Sequence, residues 1–232
     1  MSDPELAEPP TDDVDPPVTC VVFDLGGVLV EWDPRHLYRR LLASEEEVES
    51  FLAEISFDAW NHRMDAGERT WAEAVAELSG QFPHHRELIS AYPERFAETL
   101  AGPVSGSVEI VRELHDHGTR LIALTNWSAE TFAVARDEMP FLELFEAVLV
   151  SGQERVAKPD PAIFDLLLDR FGLDPPTTLF VDDREVNVQA AAAAGMRTHQ
   201  FSDPTALRAE LSRLRLLSTK PDRVRSPGEA DP

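Results

Sequence analysis

Short apolar runs alternate with amphipathic segments through most of the chain. Residues 18–23 form an apolar run with β-branched side chains, which is typical of a strand buried on both faces. Residues 107–117 have the spacing of an amphipathic helix, and Gly118 follows as a stop signal. The pattern predicts further strands at 120–124, 147–150, 178–181 and 198–201, helices that begin after Ser128, Asp160 and Asp203, and a helix that precedes Gly195.

This alternation of strands and helices defines the expected fold class. Strands that are joined through helices pair in parallel, and the helices then cover both faces of the sheet. We therefore expect an α/β fold, a Rossmann-like three-layer α/β/α sandwich built on a parallel sheet.

A long block without strand patterning, residues 34–101, interrupts this alternation after the first strand. It is rich in alanine and glutamate over 44–55 and 70–78, and Pro83 and Pro93 are expected to break its helices. Because the block is too long for one crossover helix, we interpret it as an inserted helical cap subdomain over the sheet edge. The α/β core then comprises residues 18–33 and 102–217.

Composition limits the compartment and the partners of the protein. The chain has 232 residues, of which 43% are apolar, so a packed core is expected. The two ends, 1–17 and 218–232, are polar and rich in proline, and we expect disordered tails there. Neither a signal peptide nor an apolar stretch of about 20 residues is present. Cys20 is the single cysteine, and the sequence therefore predicts a cytoplasmic protein without a membrane partner.

The charge is strongly negative, with a formal net value of −22 at pH 7. Such a surface repels nucleic acid and anionic lipid, so no nucleic-acid partner is expected. It also repels phosphorylated substrates, and a phosphate site would need a local cation. The sequence does not decide between a monomer and a homodimer.

Polar residues follow several of the predicted strands directly. In an open parallel sheet, ligands bind at the carboxyl ends of the strands. A carboxylate there can act as a nucleophile, two carboxylates can hold Mg²⁺, and a lysine can neutralise charge on a transferring group. Each residue alone has a simpler explanation as a turn or helix cap, but the combination is harder to explain in that way. The residues are Asp24, Thr125, Asn126, Lys158, Asp182 and Asp183.

These segments resemble the four motifs of the haloacid dehalogenase (HAD) superfamily, in the correct order. The resembling segments are 23–29, Thr125-Asn126, 158–161, and Asp182-Asp183 with Gly195 downstream. The cap position resembles the phosphatase-like branch with a helical cap after the first motif. Within that branch the chain is similar to the α-glucose-1-phosphate phosphatase-like subgroup and to the N-terminal phosphatase subgroup of epoxide hydrolases.

The resemblance implies a nucleophile and a metal site. Asp24 would attack phosphorus and form an aspartyl-phosphate intermediate. Asp24, the backbone carbonyl of Gly26, and Asp183 would hold Mg²⁺. The implied activity is a Mg²⁺-dependent phosphatase that hydrolyses a small phosphate monoester, such as a sugar phosphate or a similar metabolite.

The resemblance also implies a phosphate-binding set. Thr125 and Asn126 would bind the phosphoryl oxygens, and Lys158 would steady both Asp24 and the transferring group. Asp182 would support the site by orienting Lys158 or a metal-bound water.

The chain departs from the usual phosphatase pattern at Gly26, where most members carry an aspartate as general acid and base. Loss of a general acid lowers the rate by roughly 10²–10⁴-fold. Two alternatives therefore stay open. One is a 2-haloacid dehalogenase that uses the same aspartate without a metal, and the other is a non-catalytic or regulatory binding protein on the same scaffold.

Substrate specificity is expected to reside in the cap. Trp60, His62 and Arg63 offer an aromatic face and hydrogen-bonding groups that suit a sugar or another polar leaving group. The alternative for the tryptophan is packing between cap and core, and for the histidine an ordinary surface position. No cluster along the sequence has zinc-ligand spacing.

Overall fold

The computed structural model describes residues 16–218, and the expected tails therefore lie almost entirely outside the described residues. Two sheets are present in the described part. One has five strands, and the other is a two-stranded ribbon. The strands are β1 (Cys20–Phe23), β2 (Val30–Trp32), β3 (Leu100–Pro103), β4 (Arg120–Thr125), β5 (Ala147–Val150), β6 (Thr178–Asp182) and β7 (Arg197–Gln200).

The larger sheet confirms the predicted fold class. Its order is β5-β4-β1-β6-β7, and every pairing is parallel. The first strand in the chain is therefore the central strand, with a neighbour on each side. Because the strand order reverses direction on the two sides of β1, its carboxyl end lies at the position where open α/β sheets bind ligands.

The helices connect these strands and form the insertion. They are α1 (Pro34–Tyr38), α2 (Glu45–Glu54), α3 (Phe57–Asp65), α4 (Trp71–Gln81), α5 (Arg86–Glu94), α6 (Ser107–Asp116), α7 (Ala129–Ala135), α8 (Ser151–Glu154), α9 (Pro161–Phe171), α10 (Glu185–Ala193) and α11 (Pro204–Arg213). No helix among residues 16–218 has the length and apolar character that crossing a membrane requires.

Alternate side chains of the strands pack into two different layers. On one face of the sheet, Cys20 and Val22 of β1 join Phe164 of α9 in a buried cluster. On the other face, Val21 and Phe23 belong to the cluster that includes α6, α11 and the buried side chains of α2 to α5. This period of two is the reason why a strand buried on both faces has a continuous apolar sequence.

The block after β2 is mostly helical, with two differences from the prediction. Helices α1 to α5 occupy it, but residues 100–101 belong to β3, which pairs antiparallel with β2. Pro93 does not break α5, because the helix ends one residue later and loses little from the missing N–H. We use the name cap segment for α1 to α5, and its boundaries as a separate subdomain stay a prediction.

An aromatic cluster holds the cap segment together and reaches the core. Trp60 packs against Trp71 with ring centroids 5.0 Å apart, and Trp71 packs against Tyr92 at 5.2 Å. Phe96 continues the cluster to Trp127, which lies in the loop after β4. The cap segment is therefore packed directly onto a loop that carries predicted site residues.

Candidate active site

The register of the central strands places the predicted carboxylates side by side. Phe23 is level with Ala123 on one side and with Val181 on the other. The next residues along β1 and β6, Asp24 and Asp182, are consequently also level. One oxygen of each, together with one oxygen of Asp183, lies within 4.8 Å of the others.

The two carboxylate oxygens of Asp24 have different surroundings. Oδ1 accepts a hydrogen bond of 2.7 Å from the backbone N–H of Leu25 and lies 3.0 Å from Lys158 Nζ. Oδ2 has no hydrogen-bond partner within residues 16–218. Burial raises the pKa of Asp24 to about 7, against the opposing effect of the Lys158 charge. The geometry thus fixes one oxygen and leaves the other available to a ligand.

Lys158 is buried and has three oxygen acceptors. Its Nζ lies 2.7 Å from Asp182 Oδ2 and 2.9 Å from the carbonyl oxygen of Leu124, besides the contact with Asp24. Burial lowers the pKa of Lys158, but the charges of Asp24 and Asp182 more than offset this, and the net pKa is raised. The side chain therefore stays an ammonium group, and it is the local cation that the acidic composition required.

Asp182 is saturated with hydrogen bonds and holds Lys158 in place. Besides the lysine, it accepts bonds from the backbone N–H of Arg184 at 2.8 Å and from Asn187 Nδ2 at 3.0 and 3.1 Å. This placement agrees with the supporting role implied for it. The sequence analysis missed Asn187, although a buried amide in an Ala- and Val-rich helix is a signal that such a residue has a polar partner.

The side chain of Asn126 binds the backbone of Lys158. Its Nδ2 donates to the carbonyl oxygen of Lys158 at 2.8 Å, and its Oδ1 accepts from the N–H of Lys158 at 2.9 Å. Both polar atoms thus hold the backbone at Lys158, and because Nδ2 has a second proton, the expected phosphate contact stays a prediction. Within the described residues, the backbone N–H of Asn126 remains free to donate to a ligand.

Thr125 lies beside this free N–H. It is the last residue of β4 and is buried, yet its hydroxyl forms no hydrogen bond inside the part of the chain that the structure describes. The hydroxyl oxygen is not among the buried side-chain atoms that lack a partner, so a ligand can reach it. Thr125 and Asn126 therefore offer two adjacent donors at the end of β4.

The carboxylate cluster fits a hard divalent cation. Asp182 is engaged with Lys158, so Asp24 and the exposed Asp183 are the carboxylates left for a metal. The carbonyl oxygen of Gly26 accepts no backbone hydrogen bond in residues 16–218 and is a third available oxygen. Gly27 has a φ of 76°, and a Cβ on it would lie 2.7 Å from Asp183 Oδ2. A glycine is thus required beside the Asp183 carboxylate.

A further carboxyl group reaches the site from the cap segment, and the sequence analysis missed it. Asp65 ends α3, accepts a hydrogen bond of 2.7 Å from Asn61 Nδ2, and lies near enough to the backbone N–H of Ser128 for that group to lower its pKa. Burial raises its pKa to about 8, and the charge of Asp24 adds to this increase. The sequence signal was weak, because one aspartate at a helix end is common.

The three cap residues singled out in the sequence lie elsewhere. Trp60 is buried against Trp71 in the aromatic cluster, which is the packing alternative. His62 is exposed, and Arg63 forms an ion pair of 2.9 Å with Glu68. In the described residues none of the three forms a hydrogen bond with the site, whereas Asp65 and Trp71 of the cap segment both contact the core loops, through Ser151 Oγ and Ser128 Oγ.

The parallel sheet and the polar groups at its carboxyl edge together define a Rossmann-like α/β protein with a buried carboxylate directly after its central strand. The chain belongs to the haloacid dehalogenase-like hydrolases, whose family model matches residues 18–195. A curated relative, the phosphoglycolate phosphatase of Cereibacter sphaeroides, is 32% identical over 193 residues, which cover 79% of this chain and 84% of the relative. The family assignment and this phosphatase relative make the protein a hydrolase, so the non-catalytic alternative is not retained.

Solved structures with the same fold include enzymes of two chemistries. The HAD family enzyme bt-2542 of Bacteroides thetaiotaomicron, in complex with magnesium and inorganic phosphate, matches with a TM-score of 0.61 at 22% identity and covers 80% of this chain and 95% of its own. The L-2-haloacid dehalogenase of Xanthobacter autotrophicus matches with a TM-score of 0.56 at 20% identity and covers 84% and 83%. At these identities the likeness shows the fold alone.

Proposed function

We propose that the protein is a Mg²⁺-dependent phosphatase that hydrolyses a small phosphate monoester through an aspartyl-phosphate intermediate. The observation that carries this proposal is the asymmetry of Asp24. One of its oxygens is fixed by Leu25 and Lys158, and the other has no partner within residues 16–218. A nucleophile needs this combination of fixed orientation and one free electron pair.

The surrounding residues suit a phosphoryl group. Asp24 Oδ2 attacks phosphorus, while the Thr125 hydroxyl and the N–H of Asn126 donate to phosphoryl oxygens. Lys158 neutralises negative charge beside the reacting oxygen without changing position, because three acceptors hold it. The Asn126 side chain contributes indirectly, through the backbone at Lys158.

Asp24, Asp183 and the Gly26 carbonyl would hold the metal. Bound Mg²⁺ would supply charge neutralisation and a template for the phosphate. The balance of charges supports a cation here, since three clustered carboxylates face one lysine. This balance also favours the phosphatase over the metal-free dehalogenase, because a metal-free reaction gives no reason for Asp183 to join the cluster.

A small phosphorylated metabolite is proposed, because the site sits between the sheet and the packed cap segment. The cytoplasmic location stays a prediction, and so do both candidate oligomeric states.

A release assay tests the proposal. Purified protein is given sugar phosphates, phosphoglycolate and p-nitrophenyl phosphate, each with Mg²⁺ or with excess EDTA, and 2-chloropropionate is included in parallel. We expect phosphate release that EDTA stops and Mg²⁺ restores, and that Asp24→Asn abolishes while the circular dichroism melt is retained. Halide release that persists in EDTA would show the dehalogenase chemistry instead.

A further inference from the structure

The site leaves one chemical requirement unmet. When the ester bond breaks, the departing oxygen needs a proton unless it is already a stable anion. The family's usual donor position is Gly26, which has no side chain. Lys158 is an ammonium group, but its three acceptors use its protons.

We propose that Asp65, from the cap segment, is the acid that protonates the departing oxygen. This inference rests on the proposed phosphatase function. In the first step, Asp24 Oδ2 bonds to phosphorus, the ester P–O bond breaks, and the leaving oxygen takes the Asp65 proton. In the second step, water attacks phosphorus, the bond to Asp24 breaks, and Asp65 takes a proton from that water. The sum converts ester and water into alcohol and phosphate, with both aspartates restored.

The position of Asp65 supports this role. Its carboxyl group lies near the N–H of Ser128, three residues beyond Thr125, and near Asp24, because both groups act on its pKa. Its carbonyl oxygen accepts from Ser151 Oγ, which also accepts from the N–H of Trp127. Asp65 therefore contacts the core loops, although it belongs to α3.

The protonation state is also suitable. Burial keeps the carboxyl group neutral near pH 7, and the facing groups, Asp24 and Tyr92, add no positive charge that would ionise it. Asn61 Nδ2 donates to the carboxylate, and the N–H of Ser128 lowers the pKa of the group, so the anion is stabilised after the proton leaves. An acid in this environment holds its proton until a stronger base, such as a departing alkoxide, is beside it.

The test compares leaving groups of different basicity. Asp65→Asn should lower kcat/KM for alkyl or sugar phosphates by roughly 10²-fold or more, but for p-nitrophenyl phosphate by less than about 5-fold, because p-nitrophenolate needs no proton. Asp58→Asn on the exposed side of the same helix is the matched control and should change neither. Asp24→Asn should abolish both, which separates failure of this inference from failure of the phosphatase proposal.

A rescue variant completes the test. A Cβ at Gly26 meets no atom within 4 Å, so the double variant Asp65→Asn, Gly26→Asp can place a carboxyl at the family's usual position without a clash. For substrates with poor leaving groups, its kcat/KM should be at least about 10-fold higher than that of Asp65→Asn alone. Equal losses for good and poor leaving groups in Asp65→Asn would show that Asp65 only positions the cap, and the inference would be overturned.

A second, independent observation concerns the outer face of the cap segment. Glu54 at the end of α2 lies 3.2 Å from His84 Nε2 and 3.0 Å from His85 Nε2. One ligand atom from each of the three residues lies within 4.8 Å of the others. Two imidazoles and one carboxylate are a ligand set that zinc uses in proteins.

We infer that Glu54, His84 and His85 form a transition-metal site separate from the magnesium site. Phe51 packs edge-on against the His85 ring at 5.0 Å, and the two imidazole rings lie 4.1 Å apart, so the ligands are held together without the metal. Ligands in a tetrahedral zinc site with bonds of about 2.0–2.1 Å are separated by roughly 3.3 Å, compared with 3.2 and 3.0 Å from the two imidazoles to the two different oxygens of Glu54. The sequence did not reveal the site because Glu54 is remote from the histidines.

Cobalt absorption tests this site. Untagged protein stripped with EDTA is titrated with Co²⁺ in excess Mg²⁺, which occupies the carboxylate cluster. We expect one visible-absorbing Co²⁺ per chain, displaced by Zn²⁺, with binding lost in His84→Asn and in His85→Asn and retained in the exposed control His115→Asn. Equal Co²⁺ binding by the wild type and both cluster variants would overturn the inference.

Discussion

At the scale of single residues, one buried ammonium group organises the site. Lys158 binds Asp24 and Asp182, and its own backbone is held by the side chain of Asn126. Asp182 in turn is fixed by Asn187. Because each group is fixed by its neighbour, the free oxygen of Asp24 has one orientation, which nucleophilic attack requires.

Replacing Lys158 tests how much of the fold depends on this pairing. Lys158→Met leaves Asp24 and Asp182 buried without their cation, so we expect a loss of about 3–5 kcal/mol in the free energy of unfolding, together with loss of activity. Urea denaturation measures the first. The control is Arg170→Met, which breaks an exposed ion pair with Glu154 and should cost about 1 kcal/mol or less. Similar losses in the two variants would contradict the prediction.

Asp65 predicts a pH dependence of stability. Its pKa is about 8 in the folded protein, compared with about 4 in an unfolded chain. Its contribution is fully present below about pH 4, falls between about pH 4 and about pH 8 because the unfolded state releases its proton while the folded state keeps it, and is lost above about pH 8. Asp65→Asn should therefore become more stable relative to the wild type across this window. Urea denaturation of both at several pH values checks this, and parallel curves would refute it.

At the scale of elements, local signals predicted most boundaries. Asp160 caps α9 with Pro161 in its first turn, and Gly172 ends that helix in the left-handed region, as the sequence indicated. The last strand was predicted to begin at Thr198. In the structure it begins one residue earlier, because Arg197 already pairs with Leu179. Such boundary residues depend on pairing partners, which a single segment does not specify.

Other features depended on distant partners and were missed. The ribbon of β2 and β3 pairs residues about 70 positions apart, and its sequence has no alternation that marks it. Asp65 and Asn187 acquire their roles only when α3 and α10 pack beside the strand ends. In contrast, Asp24, Lys158 and Asp183 directly follow apolar strands or lie in the loop after one, so the sequence located them.

Gly27, in the turn after β1, should respond differently to substitution than Gly118, which follows α6. Gly27 and Gly118 both have a φ of 76°, but only at Gly27 would a Cβ meet a carboxylate, that of Asp183 at 2.7 Å. Alanine at either position should lower the free energy of unfolding by about 1 kcal/mol, because the backbone conformation disfavours a side chain. Gly27→Ala should lower it further. It should also raise the Mg²⁺ concentration for half-maximal activity several-fold, because Asp183 is displaced. If both variants require the same Mg²⁺ as the wild type, the close approach has no role at the metal.

At the scale of the whole molecule, the site opposes the overall charge. The chain carries a formal net charge of −22, and it is proposed to bind a phosphate dianion. Lys158 and the proposed metal reverse the sign only locally, since Asp24 and Asp182 already balance the lysine. A substrate therefore approaches against long-range repulsion and is attracted only at short range.

This contrast predicts an unusual salt dependence. Repulsion between exposed charges is screened over about 10 Å at 0.1 M salt, whereas contacts inside the site are screened much less. At saturating Mg²⁺, kcat/KM for a phosphate monoester should therefore rise by roughly two- to five-fold as KCl increases from about 20 to about 200 mM, while kcat changes little. Steady-state kinetics at constant free Mg²⁺ measure both quantities, and an added neutral osmolyte at matched osmolality controls for crowding. A fall in kcat/KM over the same range would mean that the local cations, not the acidic surface, dominate the field along the approach to Asp24.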